Sequence, residues 1–176
     1  MTWYVVLVLA VGLERLAELV VAKRHAAWAF ARGGIESGKR HYPPMVALHL
    51  GLLVACVVEA EASGRPFLPV LGWTALALVV ASQGLRWWCI ATLGNLWNTR
   101  IIVVPGVALV HRGPYRLLRH PNYLAVAVEG AALPLVHSAW ITSIAFTVLN
   151  AILLLGYRIP AEERALREVA MPVAST

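Results

Sequence analysis

Long apolar runs separated by shorter polar connectors dominate the chain. A helix needs about 20 largely apolar residues to cross a bilayer. By that measure the pattern predicts five spans: Thr2–Ala22, Pro44–Val58, Phe67–Ala91, Tyr123–Val136 and Ala139–Tyr157. The fourth span is short, and only His137 and Ser138 separate it from the fifth. These two spans are therefore predicted to form a tight helical hairpin that is tilted or does not cross the membrane fully.

The composition predicts a membrane protein. The chain has 176 residues, of which 60% are hydrophobic and 14% charged, whereas soluble domains are nearer half apolar and a quarter charged. A core of this size cannot hide such a surplus of apolar side chains. We therefore predict an all-α integral membrane protein with about five transmembrane helices, forming one membrane domain over residues 1–176. Residues 1–91 hold three spans, residues 92–168 a connector, the hairpin and a C-terminal helix, and residues 169–176 a tail.

The basic residues predict the orientation. Of the 15 Lys and Arg residues, five fall in the connector after the first span, four in the connector between spans three and four, and three in the C-terminal segment. Because cytoplasmic loops are enriched in Lys and Arg, the N-terminus is predicted outside and the C-terminus in the cytoplasm. The lipid bilayer is the expected neighbour. The basic residues are dispersed and accompany no binding motif, so nucleic acid is not an expected partner.

The connector 92–122 has an unusual composition. Its stretch IIVVPGVALV, residues 101–110, is β-branched and interrupted by Pro-Gly, which predicts an extended segment with a turn, folded back against the helices. It runs into RGPYRLLRHPNY, residues 112–123. That segment is denser in Arg, His, Pro and Tyr than a spacer between membrane helices requires, and it therefore indicates a binding function.

Ionisable residues inside the apolar runs mark further candidate positions, because a charge at the centre of a span costs roughly 3 kcal/mol or more. Glu14, Arg15 and Glu18 share one face of the first helix. They either form an intramembrane ion pair that locks this helix to the bundle or line a substrate cavity. His49 is expected to be a satisfied core histidine. No His or Cys spacing typical of a metal site occurs, so a metal ion is not expected.

Glu129 lies well inside an apolar run, six residues after Tyr123. A carboxylate there is protonated, paired or turned toward a cavity. Arg119 and Arg158 are its expected partners, and both a structural ion pair and a direct chemical role are open.

The segment YRIPAEERAL, residues 157–166, follows the fifth span. Pro160 suits the first turn of a new helix, where Glu162 and Glu163 are favourable with the helix dipole. Capping does not explain Arg158, which is aimed at the same membrane face as the Arg-His-Pro cluster.

Taken together, the two clusters resemble the isoprenylcysteine carboxyl methyltransferase family of integral membrane methyltransferases. The shared pattern is Gly-x-Tyr, then His-Pro-x-Tyr, then Arg-x-x-x-Glu-Glu after one hairpin, over roughly residues 95–168. The resemblance implies S-adenosylmethionine held between the connector, the hairpin and the C-terminal helix. It implies cofactor contacts at Tyr115, His120, Pro121, Asn122, Tyr123 and Glu162, along the stretch Val107, Ala108, Leu109 and Val110, and by spacing at Arg100. Arg158 matches an arginine that faces the reacting group of the substrate.

The chain departs from the eukaryotic members of this family in its length, in lacking their Trp-containing run, and in having Glu129 there. It looks like a bacterial branch, in the cytoplasmic membrane, that includes enzymes methylating the phenol or enol oxygen of alkylresorcinols or alkylpyrones. The predicted function is therefore S-adenosylmethionine-dependent O-methylation of such a lipophilic acceptor. Isoprenylcysteine carboxyl methylation, phospholipid N-methylation and a non-catalytic membrane scaffold are the alternatives.

A phenol has a pKa near 10 and must lose its proton before it reacts, unlike a carboxylate. We hypothesise that Glu129 is the base, or orients it, and that Arg158 holds the reacting oxygen. His120 is expected to contact the cofactor, with packing and a base role as its alternatives.

Overall fold

Six α-helices and a two-stranded sheet make up residues 1–170, which are the residues described by this computed structural model. The helices are α1 (Thr2–Phe30), α2 (Tyr42–Ser63), α3 (Pro69–Leu93), α4 (Pro121–Leu135), α5 (Trp140–Leu153) and α6 (Ile159–Ala170), and the strands are β1 (Ile35–Ser37) and β2 (Ile101–Val103). Of the predicted tail, residues 171–176 lie outside the described residues, and residues 169 and 170 end α6. The prediction of an all-α membrane protein is confirmed, with one small sheet added.

The apolar surface of the helices identifies the lipid-facing side of the bundle. Three helical segments are long and apolar enough to cross a membrane: Lys39–Ser63, Pro69–Leu96 and Trp140–Glu168. Leucine, valine and isoleucine side chains stay exposed along α1, α2, α3 and α5, which a soluble protein would avoid over so large an area. Since α1 carries five charged residues and α4 has only 15 residues, the count of five spans stays a prediction.

The core lies where α1, α2, α3, α4 and α5 meet, far from the connectors. Small residues line it, including Cys56, Ala60, Ala75 and Ala132, and small side chains let membrane helices approach closely. The hydroxyl of Tyr4 donates to the carbonyl of Leu133 at 3.1 Å. This end of the bundle is therefore tightly packed, and the open space lies at the opposite end.

The outer turn of the α4–α5 hairpin is held by Glu59 of α2. Its carboxylate accepts hydrogen bonds from the backbone N–H groups of Ile141 and Thr142 at 3.1 and 2.7 Å and pairs with Arg65 at 2.8 Å. A carboxylate is favourable at this position because the first N–H groups of a helix lack intrahelical partners. The hairpin predicted from the sequence thus has an anchor that the sequence did not reveal.

The small sheet joins two connectors that are distant in sequence. Strand β2 pairs antiparallel with β1, with Ile35 opposite Val103, and Ile101 of β2 packs against Ala161 and Ala165 of α6. The predicted extended, folded-back segment is therefore present. Both connectors and α6 lie at one end of the bundle, and their basic residues predict that this end faces the cytoplasm.

The C-terminal helix differs from the prediction of a span that ends at Tyr157 followed by a separate helix. Helix α5 continues into α6 through a π-helical turn, Leu154–Arg158. Pro160 lies in the first turn of α6, where its missing N–H costs little. The π turn adds a residue per turn and so rotates α6 relative to α5, which is a common device at functional sites.

Close packing of α4 on α5 generates a first prediction. A Cβ atom at Gly130 would overlap the ring of Phe146, which is buried in the core. We expect Gly130→Ala to lower the free energy of unfolding by about 1–3 kcal/mol, measured by thermal unfolding in detergent. Gly51→Ala is the matched control, because a Cβ there meets open space. Equal stability of the two variants would contradict this packing.

Candidate functional site

A cavity of about 950 Å³ joins the connector to the membrane-embedded helices. Its volume lies at the upper end of the range for small-molecule sites. Side chains from α1, α2, α3, α4, the π turn and α6 line it together with most of the segment 96–111. The cavity thus extends from the connector end of the protein into the apolar bundle.

Most of the sequence-predicted site residues border this one cavity. They are Arg100, Val107, Ala108, Leu109, Val110, Tyr115, His120, Asn122, Tyr123, Arg158 and Glu162. Pro121 does not line it: this residue is the first of α4, where a proline suits the backbone. Glu129 does not line it either, although two of its contacts do.

Aromatic and acidic side chains meet at the connector end. The hydroxyl of Tyr123 donates a hydrogen bond to Glu162 of α6, and the imidazole of His120 stacks on the Tyr123 ring with centroids 5.6 Å apart. His120 Nε2 also lies 3.3 Å from Glu163. Glu162 and Glu163 of α6 therefore contact Tyr123 and His120 in the wall of the cavity.

The Gly-x-Tyr part of the motif is shaped by its contact with α3. Gly113 has a positive φ of 56°, and a Cβ there would lie 2.6 Å from Thr92 Oγ1, so only glycine fits both demands. The turn places the phenol of Tyr115 beside Cys89. Burial, reinforced by the Cys89 thiol, raises the pKa of Tyr115, so its hydroxyl remains protonated and can donate a hydrogen bond at neutral pH.

Arg158 enters the cavity from the π turn. It is buried, and its Nη2 donates to the carbonyl of Thr99 at 2.8 Å, while its Nε has no partner among the described residues. The Oδ1 of Asn122 is likewise buried without a partner there. Unpaired buried polar atoms are costly, and both of these atoms belong to residues that line the cavity.

Arg100 has a different environment from the rest of the set. Its guanidinium pairs with Glu36 of β1 at 3.3 Å and lies over the ring of Phe30, 5.5 Å from its centroid. Its backbone N–H donates to Asn98. The contacts with Glu36 and Phe30 therefore connect Arg100 to β1 and to the end of α1.

Inside the bundle, four charged side chains form a closed network that we call the ion-pair layer: Arg15, Glu18, Arg86 and Glu129. Arg15 pairs with Glu18 at 2.7 Å and also contacts Glu129. Arg86 pairs with Glu18 at 3.3 Å and with Glu129 at 3.0 Å. The predicted partners of Glu129, Arg119 and Arg158, are wrong, because the arginines that reach its carboxylate come from α1 and α3 rather than from the connector and the π turn.

The structure combines the two alternatives for the charges of α1, because the same side chains form ion pairs and line the cavity. Arg15 and Glu18 are ion-paired, and both also line the cavity, as does Arg86. Glu14 sits beside the layer and accepts a hydrogen bond from the indole of Trp87 at 2.7 Å. Glu14 also lies 3.9 Å from Arg15 and therefore brings a third carboxylate beside the two arginines of the layer.

Sequence reasoning missed Arg86, and a signal for it existed. Arg86 is an arginine inside the predicted third span, where a buried cation needs a partner. It also missed the cavity residues of α2, Tyr42 and His49, which carry no motif. Among residues 1–170, no group of three or more His, Cys, Asp or Glu side chains is arranged to hold a metal ion.

Comparison with known proteins agrees with this arrangement. Residues 75–168, which include all of α4 and α5, most of α3 and α6, and the connector, match the model of the isoprenylcysteine carboxyl methyltransferase (ICMT) family. The chain belongs to that family. It is accordingly a membrane methyltransferase, and members of the family generally use S-adenosylmethionine.

Two relatives of this ICMT family member span almost the whole chain. One is an uncharacterized protein of Bacillus subtilis (strain 168), YpbQ, 37% identical over 97% of this chain and 99% of its own length. The other is an uncharacterized protein of Haemophilus influenzae, 26% identical over 86% of this chain and 88% of its own. No solved structure matches. The similarity thus reaches beyond the family region into α1 and α2.

The ion-pair layer generates a second prediction. Removing one partner of a buried pair leaves an uncompensated charge and costs about 3–5 kcal/mol. We expect Arg86→Gln and Glu129→Gln each to lower the unfolding free energy by about that amount. The double variant should lose clearly less than the sum, because it removes one charge of each sign.

The measurement is a double-mutant cycle by thermal unfolding in detergent. The control cycle uses Glu163 and Arg167, an exposed pair at 3.3 Å on α6, for which we expect a coupling under about 1 kcal/mol. Additive losses at Arg86 and Glu129 would show that their contact contributes nothing to stability.

Proposed function

We propose that this ICMT family member is an S-adenosylmethionine-dependent O-methyltransferase that acts on a phenol or enol oxygen of a lipophilic acceptor, such as an alkylresorcinol or alkylpyrone. The observation that carries the proposal is the single cavity that borders both the connector motif and the membrane-embedded ion-pair layer. A methyl donor bound at the connector end and an apolar acceptor lying in the bundle would share this one cavity.

The connector end fits the methyl donor chemically. Glu162 and Glu163, which line the cavity, are suited to its ammonium group, and the side-chain amide of Asn122 beside them can both donate and accept hydrogen bonds. The apolar segment Val107–Val110 is suited to the flat face of an adenine. When bound, S-adenosylmethionine supplies a methyl group on a sulfonium, which an oxygen nucleophile attacks. The protein's part is to align the two partners and exclude water.

The charges around the cavity favour an oxygen acceptor over an amine. Arg158 is buried with an unpaired Nε, and a cation in this position stabilises a developing oxyanion. An ammonium acceptor such as that of phosphatidylethanolamine would instead be repelled by the same guanidinium. We therefore assign Arg158 to hold the reacting oxygen. A carboxylate acceptor also suits Arg158, and isoprenylcysteine is the second candidate for that reason.

In this proposal, Glu129 orients the side chains of Arg15 and Arg86. Its carboxylate contacts Arg15 and Arg86, both of which line the cavity. It therefore fixes where two guanidinium groups stand relative to the acceptor. A proton transferred to Glu129 would weaken both ion pairs at once, which makes it a costly base.

Binding of the methyl donor provides a third prediction. We expect Glu162→Ala to weaken S-adenosylmethionine binding by more than about tenfold, or 1.4 kcal/mol, because it removes an acceptor of the Tyr123 hydroxyl and a charge at the connector end. Calorimetric titration of the detergent-solubilised protein measures the change. Glu168→Ala, on the exposed side of the same helix, is the control. Unchanged affinity in Glu162→Ala would exclude this end of the cavity as the donor site.

Identity of the acceptor provides a fourth prediction. With labelled S-adenosylmethionine, we expect label in the ether of an alkylresorcinol, and Arg158→Gln should lower this turnover at least about a hundredfold while calorimetry still detects donor binding. Phosphatidylethanolamine and an isoprenylcysteine peptide are tested in parallel. Label only in an amine or a carboxyl ester would overturn the phenolic acceptor, and no label in any of the three would leave the methyltransferase without the proposed substrate class.

A further inference from the structure

His49 of α2 lies in the wall of the cavity inside the bundle. Its Nδ1 is 2.8 Å from the carbonyl oxygen of Met45, and a carbonyl only accepts hydrogen bonds, so Nδ1 carries the proton of the neutral ring. The edge of the ring meets Phe146 at a centroid distance of 5.3 Å and an angle of 86°. Both contacts fix the tautomer and the orientation of the imidazole.

The other ring nitrogen is a free acceptor. In residues 1–170, Nε2 of His49 makes no hydrogen bond, and it is not among the polar atoms that are sealed off from the cavity without a partner. A neutral imidazole with Nδ1–H bonded to a carbonyl presents a lone pair at Nε2. His49 is therefore built like an oriented base that lacks only the proton donor.

Paired charges surround this imidazole. Arg15 and Glu18 face this region from α1, Arg86 from α3 and Glu129 from α4, and α5 contributes the ring of Phe146. Each carboxylate is paired with both arginines, and among the described residues none of these four groups is hydrogen-bonded to the ring. Nε2 therefore stays open to a ligand in the cavity.

His49 also lies at the depth of the ion-pair layer. It is seven residues into α2 from Tyr42, Arg86 is seven residues from Leu93 of α3, and each position is about 10 Å along its helix from the connector end. An acceptor whose ring occupied this level of the cavity would meet both side chains. Its alkyl chain would then extend among the apolar residues of α1 and α2, such as Leu16 and Leu53.

The other ionisable groups on the cavity wall are less suited to take a proton. Glu18 is engaged by two arginines. Glu162 accepts from Tyr123, and His120 lies against Glu163. His111 is exposed on the connector, outside the apolar part of the cavity. Among the described residues, His49 alone combines a fixed neutral tautomer, a free nitrogen and a place inside the bundle.

We propose that His49 is the general base that deprotonates the acceptor; this inference rests on the proposed O-methylation of a phenol or enol. The O–H bond of the acceptor breaks and its proton passes to Nε2. The oxygen lone pair forms the new bond to the methyl carbon, and the electrons of the carbon–sulfur bond stay on sulfur as a neutral thioether. The imidazolium later returns its proton to water.

The first test needs no turnover. An alkyl-substituted nitrophenol, chosen with a free pKa above the assay pH, is titrated onto the protein without methyl donor, and phenolate absorbance reports its ionisation. We expect wild type to bind part of the phenol as phenolate. His49→Gln should lower the bound phenolate fraction at least about tenfold, the equivalent of one pKa unit. His137→Gln, a buried histidine at the opposite end of the bundle, should behave as wild type.

The second test compares turnover across alkylphenols of graded acidity. For the least acidic phenol we expect His49→Gln to lose about 10²–10⁴-fold in rate, and for a phenol already ionised at the assay pH the loss should vanish. Calorimetry with S-adenosylmethionine should give the same affinity as wild type, which excludes misfolding. A uniform loss across the series, or no loss at all, would overturn the base role.

The two failures are distinguishable. If wild type methylates no phenol or enol, the proposed function fails, yet the absorbance titration still tests whether Nε2 accepts a phenol proton. If wild type methylates phenols and both tests leave His49→Gln like wild type, only the base assignment fails.

Discussion

A charge inside the bilayer must find its partner within the protein, and the ion-pair layer is how this chain meets that constraint. Arg15 and Glu18 of α1, Arg86 of α3 and Glu129 of α4 pair in a closed network. Each arginine contacts both carboxylates. Rotation of any one of these four side chains out of the layer would therefore break two ion pairs. Since apolar attraction between helices is weak in lipid, this network ties α1 to the family-matching half of the chain, with the apolar core at the opposite end.

The rest of the site follows from how the chain surrounds this layer. The β1–β2 pairing draws the first connector toward the second, and β2 rests on α6. The π turn carries Arg158 into the cavity while α6 swings its glutamates toward Tyr123 and His120. Elements that are distant in sequence thereby border one cavity, with the motif residues at one end and the paired charges inside the bundle.

The sequence predicted what local patterns encode and missed what only packing decides. Apolar runs predicted where the five helices lie, although α1 extends eight residues and α2 five residues beyond the predicted ends. The Pro-Gly interrupted segment predicted the extended β2 region. The resemblance to a known family, rather than spacing alone, identified the motif residues that lie around the cavity. The predicted partners of Glu129 were wrong because ion pairing between helices depends on how each helix is rotated about its axis and how deep each residue lies in the bundle. A single apolar run encodes neither. Glu59 as a helix cap and β1 as a strand were missed because both act at long range over very few residues.

An ion-pair layer beside a cavity affects what the cavity admits. The four members of the layer sum to no net charge, and Glu14, 3.9 Å from Arg15, adds a third carboxylate, so a phosphate gains nothing there to offset its own desolvation. A hydrogen-bonded neutral hydroxyl has a far smaller desolvation cost than an ion. Such a layer therefore discriminates by charge rather than by shape. In the proposed O-methylation, Arg158 of the π turn would stand beside the oxygen once the hydroxyl has given up its proton, so that the negative charge would form next to a cation.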